Sequence, residues 1–432
     1  MTTLRIGLLG GGTVGGGVAT LLARNAKALE ARVGAKLEIA KVLVRDATKS
    51  RVAELPASLV TTDPEAVLGA KDLDLVVEVM GGVDPARAYV TRALESGKSV
   101  VTANKMLLAT CGPELLAKAK AKGVDLAFEG SVGGGIPVIR VLREAMASDR
   151  VERFRGIVNG TCNFVLTRMK NDGKDFDASV KEAQELGYAE ADPTLDVGGH
   201  DAAHKLVVLA MLAFGVDLPE KTHVPTEGIT AIEPIDHRFA DRFGYTIKHL
   251  AIGRDHGDRV ELRVHPTLVK KESTLANVGG VLNAIEIQGA ALGPCLLSGR
   301  GAGDMPTAVS VVADIADVAS AQVHGARGLA TKAIGIAPRK LSPLADAVSR
   351  YYVRFQVFDK PGVLGRITGA LGDARVSIEQ MVQEGGGDAS GRPVQVVLAT
   401  HAAKRSDLDL ALALIDKADF VAKPTRVLYI DE

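Results

Sequence analysis

Cysteine is scarce in this chain of 432 residues, which contains three, and tryptophan is absent. The cysteines, Cys111, Cys162 and Cys295, are too widely spaced for a metal-binding pattern or a disulfide framework, and they suit a reducing cytosol. Neither sign of charge is in excess, because 52 basic residues balance 52 acidic ones. That balance gives no electrostatic reason to expect nucleic acid or an anionic membrane as a partner.

A long hydrophobic run is also missing. The apolar start "LRIGLLGGG" is too short, and too often interrupted by glycine, for a signal peptide or a membrane span. The sequence therefore predicts a cytoplasmic protein, and its length predicts two or three domains.

What the chain does contain, from residue 4 to about residue 135, is an alternation of short apolar strands with amphipathic helices. The first helix is predicted at residues 14–32. Such alternation, with β-branched residues in the strands, is typical of a parallel sheet covered by helices on both faces. We therefore predict a Rossmann-type doubly wound parallel sheet in residues 1–135.

After "GGGIPVIR" longer strands alternate with helices, which predicts an α+β domain in residues 136–320. Its final helix, at about residues 304–320, is expected to pack back on the first domain. Residues 321–349, which contain "APRKLSP", are predicted as a linker. Residues 350–432 follow the order βαββαβ, with a glycine-rich hairpin loop "GGGDASGR", and predict a compact ferredoxin-like unit.

Gly10, Gly12 and Gly15 have the spacing G-x-G-x-x-G, directly after the first strand and at the start of the first helix. Gly10 permits a tight turn, Gly12 lets the backbone approach a pyrophosphate, and Gly15 allows close packing of helix on strand. The N-terminus of the helix offers N–H groups and the positive end of its dipole to phosphates. This context favours a dinucleotide site over a glycine-rich turn without a ligand.

The segment "LVRDATKSR" at the end of the second strand bears on the choice of dinucleotide. Arg45 lies where the ribose 2′ position would arrive, and a guanidinium there favours a 2′-phosphate. Asp46 would favour a free 2′-hydroxyl if the register were shifted by one residue. We predict NADP(H), with NAD(H) as the alternative; a solvated polar loop also explains these charges.

The stretch "GYAEADPTLDVGGHDAAHKL" places Glu190, Asp192, Asp196 and Asp201 ahead of Lys205 and an apolar run. Asp201 and Lys205 are four residues apart on a predicted helix, so they lie on one face and can pair. A lysine at the edge of a core can present a proton to an oxyanion, and the acids ahead of it can hold an ammonium group. A salt-bridged surface loop is the alternative.

Two further segments end predicted strands. Lys105 ends "SVVTANK" at the carboxyl edge of the parallel sheet, where open α/β folds bind ligands, although a helix-entry lysine fits equally well. Glu129 lies in the glycine-rich "FEGSVGGGIPVI", whose carbonyls could hold a hard cation. From the residues alone, a hinge between domains is the better explanation of that second segment.

Six segments, in order along residues 4–319, resemble the motifs of homoserine dehydrogenases, and the fifth is the most specific: "GLLGGGTVGGGV", "VVTANKMLLA", "FEGSVGGGIPVI", "VNGTCNF", "GYAEADPTLDVGGHDAAHKL" and "LSGRGAGDMPTA". The C-terminal unit resembles an ACT domain, with "DKPGVLGRITGAL" at the usual turn and helix. The resemblance implies an NAD(P)-dependent oxidoreductase that interconverts L-aspartate 4-semialdehyde and L-homoserine in threonine and methionine biosynthesis.

The resemblance also implies roles for single residues. Lys205 would donate a proton to the aldehyde oxygen, Asp201 would orient Lys205, and Lys105 would lie beside the nicotinamide and the substrate. Glu190 and Asp196 would bind the amino end of the substrate. The cofactor would contact Gly10, Gly12, Thr13, Val14, Gly15, Arg45, Lys105 and Gly303. A monovalent cation, typically sodium, would be held by Glu129 and the backbone of Val132, Gly134 and Ile136.

The family resemblance further implies a homodimer or higher homo-oligomer, formed through the second domain, which would serve both catalysis and dimerisation. The ACT-like unit would bind an end-product amino acid, with threonine expected, or would serve only in dimerisation. Two other functions stay open: another amino-acid dehydrogenase on the same scaffold, and a non-catalytic sensor of nucleotides and amino acids.

Overall fold

The computed structural model describes residues 2–219, 222–332, 335–385 and 392–431. Its strands are β1 (Thr3–Leu9), β2 (Lys36–Leu43), β3 (Val60–Thr61), β4 (Leu75–Glu78), β5 (Ser99–Thr102), β6 (Leu126–Ala127), β7 (Val151–Ile157), β8 (Val216–Asp217), β9 (Tyr245–Asp255), β10 (Arg259–Lys270), β11 (Leu282–Gly289), β12 (Gly293–Arg300), β13 (Ala337–Pro338), β14 (Lys340–Leu341), β15 (Val348–Phe358), β16 (Ile378–Glu384), β17 (Pro393–Thr400), β18 (Ala403–Lys404) and β19 (Val421–Ile430). Its helices are α1 (Thr13–Arg24), α2 (Ala26–Val33), α3 (Glu65–Leu68), α4 (Ala86–Glu95), α5 (Lys105–Lys122), α6 (Val138–Arg140), α7 (Gly160–Asp172), α8 (Phe176–Glu185), α9 (Thr194–Val197), α10 (His200–Ala213), α11 (Pro234–Arg242), α12 (Asp304–Val323), α13 (Leu329–Lys332), α14 (Val363–Asp373) and α15 (Arg405–Ile415).

These elements form two compact units. Unit 1 contains Met1–Gly160, Ala203–His223 and Leu282–Arg339, and unit 2 contains Thr161–Ala202, Val224–Val281 and Lys340–Glu432. Each unit is built from three separated segments of chain, whereas the predicted domains are consecutive. The two divisions therefore cannot be compared directly, and the domain boundaries at 135, 320 and 349 stay predictions. No helix in the described part of the chain has both the length and the apolar character that a membrane crossing requires.

The N-terminal sheet of unit 1 is parallel, with the strand order β3-β2-β1-β4-β5-β6. Strands β4 and β5 are buried along their whole length, as expected where helices cover both faces of a sheet. The strand order reverses between β1 and β4, so the carboxyl ends of these two strands flank the crevice where doubly wound sheets bind ligands. The predicted Rossmann-type fold is confirmed.

The helices on this sheet differ from the prediction in one place. Residues 14–32 form two helices, because Asn25 leaves the helical conformation (φ −104°, ψ 15°) between α1 and α2. The asparagine side chain competes for backbone hydrogen bonds, so it is more common at helix ends than in helix interiors. The later helix α12 packs on the sheet, with Val311 and Ile315 in the same buried cluster as Ile6.

Strands β7, β11 and β12 form an antiparallel group in unit 1. Strand β12 has no local signal, since its sequence GPCLLSGR lacks the apolar alternation of a strand. The predicted linker, residues 321–349, contains the short elements α13, β13 and β14. Of these, β13 pairs with β8 in unit 1, and β14 pairs with β10 in unit 2.

In unit 2 the strand order is β9-β10-β19-β15-β17-β16. The last four strands form an antiparallel group with α14 and α15 between them in the order βαββαβ, so the ferredoxin-like prediction is confirmed. This group is the C-terminal module. The glycine-rich hairpin predicted within it lies largely outside the described residues, which omit 386–391. Strand β19 also pairs in parallel with β10, so the sheet of the module continues into earlier strands.

Both faces of the module's sheet are covered. One face, with Tyr351 and Phe355, packs against α14 and α15. The other face contributes Tyr352 and Leu428 to a buried cluster that includes Phe239 of α11. The module therefore shares a hydrophobic core with the preceding segments of unit 2.

Candidate active site

The glycine turn between β1 and α1 has the geometry that its spacing predicts. Gly10 has a φ of 108°, in the region that favours glycine. A Cβ on Gly15 would lie 2.0 Å from the carbonyl oxygen of Gly10, so only glycine allows this close approach. At Gly12 a Cβ would have no neighbouring atom within 4 Å. The backbone at the start of α1, which begins at Thr13, is therefore open to a phosphate group.

A cavity of about 850 Å³, the glycine-turn cavity, opens at this turn. The glycine turn contributes Gly10, Gly11 and Gly12 to its lining. The charged side chains in the lining include Arg45, Asp46, Lys49 and Arg51. The open backbone at Gly12 and the cationic side chains suit the phosphates of a dinucleotide, so the residues present fit the predicted cofactor.

Asp46, the acid that complicates the choice of cofactor, is engaged within its own turn. Its carboxylate accepts hydrogen bonds from the N–H (2.8 Å) and the hydroxyl (2.6 Å) of Thr48. These bonds hold the pKa of Asp46 below its usual value. Arg51 donates to the carbonyl oxygen of Lys49 (2.6 Å), and this bond lies within residues 45–51, the basic loop.

A second cavity, of about 320 Å³, is lined by both Lys105 and Lys205 and is the lysine cavity. Its lining also includes Val14, Met80, Gly81, Gly82, Asn104, Ser131, Gly134 and Thr307. Residues 79–82 line this cavity and the glycine-turn cavity alike, so the 79–82 turn is their common wall. The structure thus brings the two predicted lysines together next to the glycine turn.

Lys205 is held in place by burial and by a backbone contact. Its side chain lies on α10, which begins at His200, directly after the glycine pair of the motif. The residue is 7% exposed, and its Nζ donates a hydrogen bond of 2.8 Å to the carbonyl oxygen of Val158. An ammonium fixed in this way is a preorganised donor for a developing negative charge.

Lys105 is the first residue of α5, three residues after β5 ends at Thr102. The side chain of Asn104 caps this helix by accepting the N–H of Leu107 at 3.0 Å. Lys105 is therefore a helix-entry lysine that also lines the lysine cavity, and its role in binding stays a prediction.

The predicted acids lie in unit 2. Asp196, in α9, accepts a long hydrogen bond of 3.4 Å from the hydroxyl of Thr161, and Glu190 is exposed. Asp192 accepts the N–H and the hydroxyl of Thr194, and these bonds lower its pKa. Asp201 lies in the first turn of α10, and the boundary between the units passes between it and Lys205.

Glu129, the predicted side-chain ligand of a cation, is 3% exposed. Its carboxylate oxygens accept the backbone N–H groups of Ile139 (2.9 Å) and Arg140 (2.8 Å). Burial raises the pKa of Glu129, and these hydrogen bonds oppose the rise. Its own N–H donates to Asp314 of α12 (2.7 Å), and burial raises the pKa of Asp314 to about 7.

The other predicted ligands of the cation would offer the backbone carbonyls of Val132, Gly134 and Ile136. The carbonyl of Gly134 accepts the hydroxyl of Ser310 (2.6 Å), and that of Ile136 accepts the N–H of Val138 (2.8 Å). Each keeps a second lone pair, and oxygen is the donor that hard cations prefer, so the chemistry fits. In the described part of the chain no group of three or more His, Cys, Asp and Glu residues could hold a metal ion.

The sequence interpretation missed the 79–82 turn and Asn104, although both line a cavity. The available signal was the pair Gly81 and Gly82, three and four residues after the end of β4 at the carboxyl edge of the sheet, and both have a φ of 74°. Gly303, the predicted cofactor contact, caps α12 with a φ of 114° and follows Ala302, which lines the lysine cavity.

Three family models match the chain in the order of its segments. The model of the homoserine dehydrogenase NAD-binding domain matches residues 10–129, that of homoserine dehydrogenase residues 137–316, and that of the ACT domain residues 351–419. Homoserine dehydrogenases of Neisseria gonorrhoeae and Pseudomonas aeruginosa are each 40% identical to the chain. The alignments cover 100% of the chain, with 99% of the first relative and 100% of the second.

Solved structures agree with these matches. A homoserine dehydrogenase from Thiobacillus denitrificans is 42% identical and gives a TM-score of 0.93 over 100% of this chain and 99% of that one. A hyperthermophilic archaeal homoserine dehydrogenase in complex with NADPH is 27% identical, with a TM-score of 0.63 over 73% of this chain and 98% of that one. The similarity to the Thiobacillus enzyme runs through both units and includes the C-terminal module.

Proposed function

Because the chain belongs to the homoserine dehydrogenase family, with an NAD-binding domain and a C-terminal ACT domain, we propose that it reduces L-aspartate 4-semialdehyde to L-homoserine with NADPH, in threonine and methionine biosynthesis. The observation that carries this proposal is the lysine cavity, in which Lys105 and Lys205 lie beside the wall shared with the glycine-turn cavity. A non-catalytic sensor has no need of two lysines in such a place.

Lys205 is the proton donor in this proposal. The bound cofactor supplies the hydride that reduces the aldehyde carbon. Negative charge builds up on the aldehyde oxygen as that bond forms, and the ammonium of Lys205 stabilises the charge and transfers a proton to the oxygen. The product hydroxyl of homoserine results. Lys105 places a second positive charge at the same cavity, beside the nicotinamide and the substrate.

The amino group of the substrate distinguishes it from a simple aldehyde. Glu190 and Asp196 are the proposed partners of this ammonium, and Asp201 is the proposed orienting residue of Lys205. The support is the agreement of their motif with the family. Carboxylates at these positions would also repel a simple 2-oxo acid.

The cofactor is held, in this proposal, by residues of the glycine turn, the basic loop and the two helix starts: Gly10, Gly12, Thr13, Val14, Gly15, Arg45, Lys105 and Gly303. The preference for NADPH is supported by Arg45 in the lining of the glycine-turn cavity and by the engagement of Asp46 with Thr48. The archaeal relative in complex with NADPH supports the same choice.

The purified protein should reduce NADP faster than NAD when homoserine is supplied, and Arg45→Ala should remove that preference. We expect the substitution to raise the KM for NADP by about tenfold, because a charge-assisted bond to the 2′-phosphate is lost. The KM for NAD should change by less than about twofold, since NAD has no 2′-phosphate. The absorbance of the reduced nicotinamide, followed with both cofactors in parallel, measures these values.

Arg32→Ala is the matched control, because Arg32 is exposed at the end of α2 in the same unit. It should leave both KM values unchanged. Failure to reduce either cofactor with homoserine would exclude the proposed reaction, and consumption of NADPH that depends on ammonia would support another amino-acid dehydrogenase. An unchanged KM for NADP in Arg45→Ala would contradict the role of that residue alone.

A sodium ion is proposed at Glu129 and the backbone oxygens of Val132, Gly134 and Ile136. The support is the oxygen chemistry of these groups and the resemblance to the family. The ion would brace the glycine-rich segment, of which Gly133 and Gly134 line the lysine cavity. The resemblance also supports a homodimer or a higher homo-oligomer as the active form.

The ACT domain is proposed to bind threonine as a feedback inhibitor. A cavity of about 460 Å³, the ACT cavity, is lined by Asp359, Lys360, Gly362 and Gln383, among others. Gly362 caps α14, a helix of 11 residues whose first residues line the cavity. An amino acid would offer its carboxylate to this helix N-terminus and its ammonium to Asp359.

A polar contact connects the ACT cavity to the rest of unit 2. Glu384 follows Gln383 on β16 and accepts hydrogen bonds from Arg238 and Arg242 of α11, each at 2.7 Å. A ligand that shifts β16 would therefore act on α11, which supports regulation over a role in assembly alone.

Asp359→Ala should raise the concentration of threonine that gives half inhibition by about tenfold, because the ammonium loses a charged partner. Inhibition curves at fixed homoserine and NADP measure this value. Asp373→Ala, at the exposed end of α14, is the matched control and should behave as the wild type. A wild-type enzyme that threonine does not inhibit, or a variant with an unaltered curve, would favour the dimerisation role.

A further inference from the structure

A buried carboxylate lies directly beneath the 79–82 turn. Glu78, the last residue of β4, is 0% exposed and belongs to the lining of neither cavity. Its Oε1 accepts the N–H of Met80 (2.8 Å) and a proton of Asn104 Nδ2 (3.3 Å). Its Oε2 accepts the hydroxyl of Thr102 at 2.6 Å. One side chain thus contacts the turn, the end of β5 and the residue before Lys105.

Asn104 extends this set of contacts. Its Nδ2 also donates to the carbonyl oxygen of Gly82 (2.6 Å), while its Oδ1 caps α5 through the N–H of Leu107. Its backbone N–H donates to the hydroxyl oxygen of Thr102 (3.0 Å). The carboxylate of Glu78 therefore links the common wall of both cavities to the helix that begins at Lys105.

A carboxylate is the side chain that suits this position, because every one of these groups donates to it. An ionised carboxylate accepts all of these hydrogen bonds, whereas the NH₂ group of a glutamine would face the N–H donors of Met80 and Asn104 or would make the Thr102 hydroxyl accept where it now donates. Burial raises the pKa of Glu78, and the bonds from Thr102, Met80 and Asn104 oppose the rise. The donors thus hold the buried acid, and the acid holds the donors in place.

We infer that Glu78 is a positioning residue of the reaction, which fixes the 79–82 turn and Asn104 and thereby sets where the cofactor lies relative to Lys105. The inference rests on the proposed function of the two cavities. It differs from a purely structural role, because it links Glu78 to cofactor binding and turnover and not only to stability.

The test compares four variants of the full-length protein: Glu78→Gln, Thr102→Val, Thr102→Ser and Asp125→Asn. Glu78→Gln and Thr102→Val should each raise the dissociation constant of NADPH by about tenfold and lower kcat by about tenfold. The reason is that a small displacement of the reacting groups strongly lowers the rate. The KM for homoserine at saturating cofactor should stay within about twofold. Thr102→Ser keeps the hydroxyl and should restore both values to within about twofold of the wild type. NADPH fluorescence gives the dissociation constant, and initial rates give kcat and KM.

Asp125→Asn is the matched control, because Asp125 is a buried acid that directly precedes β6 and accepts the N–H of Gly328 (2.9 Å). It should lower the melting temperature without altering the kinetic constants. The inference would be overturned if the variants Glu78→Gln and Thr102→Val had a lower melting temperature but bound NADPH and turned over as the wild type does. It would also be overturned if Thr102→Ser failed to restore NADPH binding. If Glu78→Gln does not fold, the two Thr102 variants decide.

The dissociation constant of NADPH can be measured without turnover. If Glu78→Gln and Thr102→Val bind NADPH more weakly as expected, but the wild type is inactive on homoserine, the inference is supported and the proposed reaction is excluded.

Discussion

Lys205→Met should lower kcat by about 10³-fold, whereas the dissociation constant of NADPH should stay within about twofold. Methionine fills much of the space of the lysine side chain, so the buried position stays packed. In the proposed reaction, the variant loses the ammonium that would stabilise the alkoxide and supply its proton. It also leaves the carbonyl of Val158 without the bond from Nζ. Steady-state rates with homoserine and NADP, together with NADPH fluorescence, measure the two quantities.

Lys98→Met provides a control of similar burial, since Lys98 is 9% exposed and Lys205 is 7% exposed. Lys98 directly precedes β5, and its Nζ contacts the hydroxyl of Ser96 at 3.3 Å. The control should retain the kcat of the wild type. If Lys205→Met turns over at a rate close to the wild type, Lys205 is not the proton donor and Lys105 becomes the candidate.

Arg354→Met should lower the free energy of unfolding by about 3–5 kcal/mol, because it leaves a buried carboxylate without its only charged partner among the bonds to Asp236. Arg354 on β15 is 5% exposed and binds Asp236 of α11, which is 0% exposed, through two hydrogen bonds of 2.7 and 3.1 Å. The hydroxyl of Tyr352 also donates to Asp236 (3.0 Å) and would remain as a weaker neutral partner. Urea denaturation followed by circular dichroism measures the change.

An exposed ion pair in the same module is the control. Arg366 and Asp419 form a contact of 3.1 Å with exposed fractions of 60% and 78%, and Arg366 also lies over the ring of Phe420. Arg366→Met should cost at most about 1 kcal/mol. Equal losses in the two variants would show that burial of the Arg354–Asp236 pair adds no stability.

The shared core of the C-terminal module and the preceding segments of unit 2 limits how regulation can be tested by truncation. Removal of the chain from about residue 341 would strip strand β19 from β10 and uncover the cluster around Phe239. A truncated enzyme would therefore lose stability together with any threonine response. Substitutions in the ACT cavity separate the two effects.

The features that the sequence predicts well are local. The φ of Gly10 and the contact between Gly15 and Gly10 depend on residues a few positions apart, as does the start of α10 after its glycine pair. The order βαββαβ follows from alternation and turn residues within one short stretch. Residue type and spacing make Lys205, the acids and Arg45 candidates for the chemistry, and the motif that contains Lys205 and the acids is the most specific sign of the family.

The features that the sequence misses depend on packing between distant segments. A strand without apolar alternation, such as β12, is recognisable only from its pairing with β11, because tertiary context overrides local propensity in sheets. The proposed role of Glu78 could not be read locally, since two of its three partners, Thr102 and Asn104, come from the end of the next strand and from the cap of the next helix.

By itself, therefore, the sequence determined the family and the parallel sheet, and it supplied the candidates for binding a dinucleotide and donating a proton. The tertiary structure alone decided that Lys105 and Lys205 line one cavity, that Glu78 lies beneath its wall, and that the C-terminal module shares a core with α11. The physical reason is that these contacts join residues far apart along the chain, and their pairing depends on how the buried faces of whole elements pack together.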